Sequence, residues 1–227
     1  MFKLHILFCI CLTFLTSFSL SAQTKTKGKK QDTAITVLKE VGKKYRNSKL
    51  VKIETHKKVT SELLGKTTTY DGIIYLAQGK FRWQNETPEH SLLLFDGEII
   101  WNVQYPPKDL GGPVQVAKAK VDKNTKSQIL ISTLIGKEPI EKNFKVVREK
   151  AEKNILSIEL EPRKSDVRVK GLTLNIEVNS KLIKNISFKD DVNNTTEIEM
   201  KKTEFLSKEN KELFKYKIPK DAQVTNL

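Results

Sequence analysis

The chain has 227 residues, 38% of them hydrophobic, with 41 Lys and Arg against 27 Asp and Glu, a net charge of +14. This length suits one domain of sandwich or barrel type, and the charge favours anionic partners or a solvated lysine-rich surface. The two cysteines, Cys9 and Cys11, both fall near the start, so a chain trimmed there has no disulfide and no thiol nucleophile.

The first segment is "MFKLHILFCICLTFLTSFSLSAQ": one Lys near the start, an apolar and hydroxyl-rich run to Leu20, then small residues at Ser21 and Ala22. This is the layout of a secretory signal peptide, residues 1–22, cleaved near Ala22. An N-terminal membrane anchor is the alternative, since the run is nearly long enough to span. Cys9 and Cys11 sit mid-run, not at its end, so neither fits a lipid-anchoring cysteine. The expectation is a soluble exported protein, carrying +13 once Lys3 is removed, in a compartment where nucleic acid is not a partner.

Residues 23–31, "QTKTKGKKQ", contain no apolar side chain and read as a flexible basic tether. One domain is expected over 32–227. It opens with a helix over Asp32–Asn47, where Asp32 is a plausible N-cap and Ile35, Leu38, Val41 and Tyr45 share one face. Such an amphipathic helix must lie on something apolar.

Beyond it the period changes to two. Val51, Ile53 and Thr55 alternate, Ile73 and Tyr75 face opposite to Ile74 and Leu76, and Phe81 and Trp83 share a face. "SLLLFDG" and "EIIWNV" meet at Asp96-Gly97, a dipeptide favoured in tight hairpins, with Ile99, Trp101 and Val103 pointing one way. A Pro- and Gly-rich loop runs from Pro106 to Pro113. The apolar run containing Ile129, Leu130 and Leu134 reads as a short buried helix, with a strand as the alternative. From Phe144 alternation returns in "FKVVREK", "ILSIELEPR", "VKGLTLNIEVN", "LIKNISFKDD" and "TTEIEMKKTEFL", and "LFKYKIPKDAQV" is a last extended segment. The sum is about ten or eleven antiparallel strands and two helices.

The chemistry-bearing patterns are missing. His56 and His90 lie in separate segments without ligand spacing, and there is no G-x-S-x-G and no P-loop. An enzyme, a metal site and a cofactor are all unexpected. A long antiparallel sheet with an extra amphipathic helix suggests instead a curved sheet capped by that helix, able to hold an apolar ligand. Periodicity equally allows Phe81, Trp83, Phe95 and Trp101 to be ordinary core residues.

The stretch "GKFRWQNETPEHSLLLFDGEIIWNVQYP" resembles the central strands of the LolA family, periplasmic lipoprotein carriers of bacteria with an outer membrane. Phe81, Arg82, Trp83, Pro88, Leu93, Asp96, Gly97, Trp101 and Tyr105 stand in the family's pattern, as do Gln115-Val116 and the ending Phe214 to Val224. The resemblance implies a mainly β fold with a few helices, an incomplete (open) antiparallel β-barrel with an α-helical lid. It implies an acyl-chain cavity, for which Phe81, Trp83, Leu93, Phe95, Ile99 and Trp101 are candidates; alternation allows only some to face inward. Ile35, Leu38, Val41, Ile129, Leu130 and Leu134 are the lid candidates. The implied partners are triacylated lipoproteins, an inner-membrane lipoprotein-releasing ABC transporter and an outer-membrane receptor or acceptor, with the carrier a periplasmic monomer. A LolA-like carrier of another lipid or glycolipid, or a lipoprotein-sensing interaction domain, is the alternative. One departure is Leu76-Ala77-Gln78, where family members often have Lys-Arg-Pro and the arginine helps latch the lid.

Overall fold

The computed structural model describes residues 27–121, 139–163 and 169–226, with side chains of the first helix described from Thr33 onward. The expected signal peptide, the start of the tether, and Ile129, Leu130 and Leu134 lie outside these residues. Helix α1 spans Lys27–Asn47, so it begins before Asp32 and takes in most of the segment expected as a tether.

Twelve strands form one open sheet in the order β12-β6-β5-β4-β3-β2-β1-β11-β10-β9-β8-β7. They are β1 (Leu50–Thr60), β2 (Thr67–Ala77), β3 (Lys80–Thr87), β4 (Ser91–Phe95), β5 (Ile99–Gln104), β6 (Gln115–Lys120), β7 (Phe144–Glu152), β8 (Ile155–Pro162), β9 (Val169–Glu177), β10 (Leu182–Asp190), β11 (Thr195–Leu206) and β12 (Gln223–Asn226). A one-turn helix α2 (Ile140–Asn143) leads into β7, and a 3-10 turn spans Lys211–Phe214.

Short turns make most neighbours antiparallel. Gly79, at φ 73°, lies in the conformation that a tight β2–β3 connection needs and that side chains disfavour. Closure between β1 and β11 is the long-range step, joining Leu50↔Leu206 through Thr60↔Thr195. The sheet exceeds the expected strand count by β12, which pairs parallel to β6, Gln223↔Gln115 to Asn226↔Lys118. That strand is exposed along its length and polar, so it carries no alternation to read.

Two layers cover the sheet, one on each face. On the inner face, Ala34, Val37, Leu38 and Val41 of α1 pack on Phe144, Leu156, Ile158, Leu160, Leu174 and Ile176. On the outer face, Leu92, Leu94, Trp101, Val103 and Val116 pack under Phe214, Leu213 and Tyr216 of the C-terminal segment. One close approach stiffens the middle. A Cβ at Gly72 would stand 2.4 Å from the Gln84 carbonyl oxygen, and the buried Thr55 hydroxyl donates to the Gly72 carbonyl at 3.1 Å.

Candidate functional site

Helix α1 covers the β7–β9 side of the inner face and does not fill the space over β1–β3. What remains is a cavity of about 890 Å³. Its floor is apolar: Ile53 on β1, Ile74 and Leu76 on β2, Phe81 and Trp83 on β3, Leu93 on β4, then Leu172, Leu174, Ile176, Ile183, Ile186, Phe188, Ile198 and Met200 on β9–β11. Its roof is Leu38, Val41, Gly42 and Tyr45, and Ile140 of α2 with Phe144 of β7 closes one side. Of the charged and polar lining residues, Lys39, Arg46 and Gln78 are exposed and stand at its margin, and Glu141 of α2 is half-buried.

Strand pairing explains this floor. Cross-strand partners share a face, so Ile53, Ile74, Trp83 and Leu93 form one continuous apolar row, and Leu76↔Phe81 forms a second beside it. The same rule sorts the expected site residues. Phe81, Trp83 and Leu93 line the cavity. Phe95 is buried on the same face beside Phe81, rings 6.5 Å apart, but behind the lining. Ile99 and Trp101, also expected as cavity residues, are on the opposite face. Phe95 pairs with Ile100 and Leu94 with Trp101, so Ile99 and Trp101 point outward into the cluster under Phe214. The Trp101 ring meets that of Tyr216 at a tilt, centroids 5.5 Å apart, and its indole N–H donates to Asp96 at 3.0 Å.

On the helix, Leu38 and Val41 face the cavity, whereas Ile35 is half-buried outside both the lining and the buried cluster. The buried face runs through Ala34 and Val37 as well as Leu38 and Val41, so it is rotated from the one expected. The β9–β11 half of the floor was absent from the expected set. Its alternation was visible in sequence, but periodicity does not say whether an inward face is packed or hollow.

Ala77 is buried and lines the cavity, so no arginine latch stands there. The helix is tied elsewhere. The Ala34 N–H donates to the Glu149 carboxylate at 3.1 Å, Lys44 Nζ donates to the Ser180 carbonyl at 2.7 Å, and Lys181 pairs with Glu40 at 2.6 Å. Tyr45 adds a third kind of tie. Strands β10 and β11 pair only from Asn185↔Glu199 to Lys189↔Thr195, which leaves a split beyond Asn185. Tyr45 enters it: its hydroxyl accepts the Ile183 N–H at 3.3 Å, and its ring meets Phe205 edge-on at 5.3 Å. Burial raises its pKa, with the hydrogen bonds to Ile183 and Thr203 acting the other way.

Beyond the lining, Lys57 lies over the Tyr70 and Trp83 rings at 4.2 and 5.0 Å, and burial lowers its pKa. No group of three His, Cys, Asp or Glu side chains among the described residues could hold a metal ion. No helix among them is long and apolar enough to cross a membrane.

Comparison with known proteins agrees with this architecture. The chain is 30% identical over 146 residues to an outer-membrane lipoprotein carrier protein of Nitrosospira multiformis, covering 64% of this chain and 67% of that one. Its fold is similar to that of an uncharacterized conserved protein from Thermus thermophilus, with a TM-score of 0.51 at 14% identity, covering 86% of this chain and 99% of that one. A looser likeness, TM-score 0.42 at 8% identity over 80% of this chain and 96% of that one, is to a LolA superfamily protein from Nitrosomonas europaea. The model of the family described as outer membrane lipoprotein carrier protein LolA matches residues 46–217, a span that holds β1 to β11 and most of the cavity floor. The chain therefore belongs to the LolA family of outer membrane lipoprotein carrier proteins.

Proposed function

We propose that the cavity under α1 takes the acyl chains of triacylated lipoproteins, and that the protein carries them through the periplasm from an inner-membrane ABC release complex to an outer-membrane receptor or acceptor. The observation that supports this reading most is the cavity itself: about 890 Å³ and apolar across its floor. That volume falls within the ~300–1,000 Å³ of ordinary ligand sites. Each methylene left in water costs ~0.8 kcal/mol, so several bare acyl chains do not cross an aqueous compartment unaided.

Leu38 and Val41 supply the exchange. Both line the cavity and both bury against the sheet, so lifting α1 exposes apolar surface that an acyl chain can cover in their place. In this reading Phe81, Trp83 and Leu93 touch the cargo and α1 is the lid. Residues 1–22 direct export and are removed near Ala22. The test is recovery of the protein from the periplasm, followed by mass spectrometry of what it holds. A triacylated lipoprotein supports the reading. A free lipid or glycolipid alone would replace it with the broader lipid-carrier alternative, and an empty cavity in every preparation would contradict both.

A further inference from the structure

We propose that Lys57, with the indole N–H of Trp83 beside it, forms a head-group site at one end of the cavity for an acyl lipid that carries an anionic oxygen group, a carboxylate or a phosphate. It rests on the reading that acyl chains enter under α1, and it names the chemistry that the end of such a chain meets there.

Strand register puts a charge into an apolar face. Tyr70, Lys57, Ile198, Ile186 and Leu174 are successive cross-strand partners from β2 across to β9, so all share the inner face. Ile198, Ile186 and Leu174 line the cavity. Lys57 holds the next place in that row, just beyond the lining. Its Nζ lies 4.2 Å from the centre of the Tyr70 ring and 5.0 Å from that of Trp83, itself a lining residue. The adjacent row is polar from β4 to β1, through Ser91, Asn85, Gly72 and Thr55. Along β1 the inner face therefore changes from apolar at Ile53 to polar at Thr55 and Lys57.

The donors at this end lack acceptors. Two rings hold the Lys57 ammonium, but no carboxylate among the described residues pairs with it. Asp71, Glu197 and Glu199 alternate with Tyr70 and Ile198, so they lie on the opposite face. There Asp71 meets His56 and Lys201 at 2.9 and 3.0 Å, and Glu197 meets Lys58 at 3.5 Å. Glu141, the carboxylate of the described lining, belongs to α2 beside β7, five strands from β1 in the sheet order. The Trp83 indole nitrogen is buried without a hydrogen-bond partner. Asn85 Oδ1 is also unpaired, while its Nδ2 donates to Ser91 Oγ at 2.8 Å. Burial lowers the Lys57 pKa, as it does for a desolvated ammonium with no counter-ion. An anionic oxygen at the end of an acyl chain supplies the acceptor that both donors lack, and a charge-assisted hydrogen bond is the stronger kind. Asn85 Oδ1 is left to accept an O–H or N–H of a larger head group.

Competition against an uncharged fluorescent acyl probe tests the proposal at neutral pH, with dodecanoate, dodecyl phosphate and dodecanol as competitors of one chain length. The wild type is expected to bind at least one of the two anions about tenfold more tightly than dodecanol, and whichever anion binds better identifies the head group as carboxylate or phosphate. K57M is expected to remove the preference for an anion, and K57R to keep it. A wild type that binds dodecanol as tightly as both anions overturns the proposal, as does a K57M protein that keeps the preference. In either case acyl-chain binding stands and Lys57 is only a cover over two rings. A wild type that takes up neither the probe nor any of the competitors contradicts the acyl-chain reading as well.

Discussion

Asp96 closes the β4–β5 turn with three hydrogen bonds, from the Glu98 and Ile99 N–H groups at 2.9 and 2.8 Å and from the Trp101 indole at 3.0 Å. Burial pushes its carboxyl up, but the hydrogen bonds from Ile99, Trp101 and Glu98, with the nearby charge of Lys80, outweigh it and hold the pKa below the ordinary value. A carboxylate lowered in the fold stabilises the protein above the ordinary carboxylate range, and that stability is lost as pH falls through its own pKa. D96N turns an amide donor toward one of these donors, so it should cost about 1–3 kcal/mol in urea unfolding and flatten the acid side of the stability–pH curve. At the cavity, I74W places a large ring in an existing void. It should abolish binding of a fluorescent acyl probe while leaving the unfolding midpoint near wild type; a folded I74W that binds normally would remove Ile74 from the floor. Sequence identified both tryptophans as structural landmarks, yet alternation alone could not orient them. Trp83 faces the cavity and Trp101 the opposite layer, because register across β3, β4 and β5 fixes the side and no local pattern records it.

At the scale of elements, the strands from Phe144 to Leu206 follow their two-residue alternation closely, and the Asp96-Gly97 turn marks its hairpin. Such signals are local, and the sheet keeps them. The less legible elements depend on distant contacts. α1 runs back to Lys27 through residues with no apolar face, and β12 forms only because the C-terminal segment crosses the outer face to reach β6. The hold on α1 was also invisible: Ala77 replaces the family's latching arginine, and the β10–β11 split that Tyr45 enters is not marked by any local pattern. Y45F leaves the Ile183 N–H without its acceptor, a loss of about 1–3 kcal/mol. It should speed amide exchange in α1 and acyl-probe entry; unchanged exchange there would show that Tyr45 does not hold the helix. G72A tests the sheet itself. Its Cβ meets a backbone carbonyl that cannot swing away, so a loss of about 1–3 kcal/mol is expected by urea unfolding.

Across the whole molecule, one sheet carries two different coverings. The C-terminal segment packs closely on the outer face of β4–β6, whereas α1 covers only part of the inner face and leaves room beneath it. That asymmetry separates the stable wall from the part that can open. It also gives each tryptophan a separate role, and the chain has only two. The central claim, that acyl chains enter under α1, is tested most directly by titrating a triacylated lipopeptide into two single-tryptophan variants and recording their emission. In W101F the remaining Trp83 lies on the cavity floor, and its spectrum should shift with saturation. In W83F the remaining Trp101, behind the sheet, should not respond. A silent Trp83 despite demonstrated lipopeptide binding, or equal shifts from both, would contradict the account.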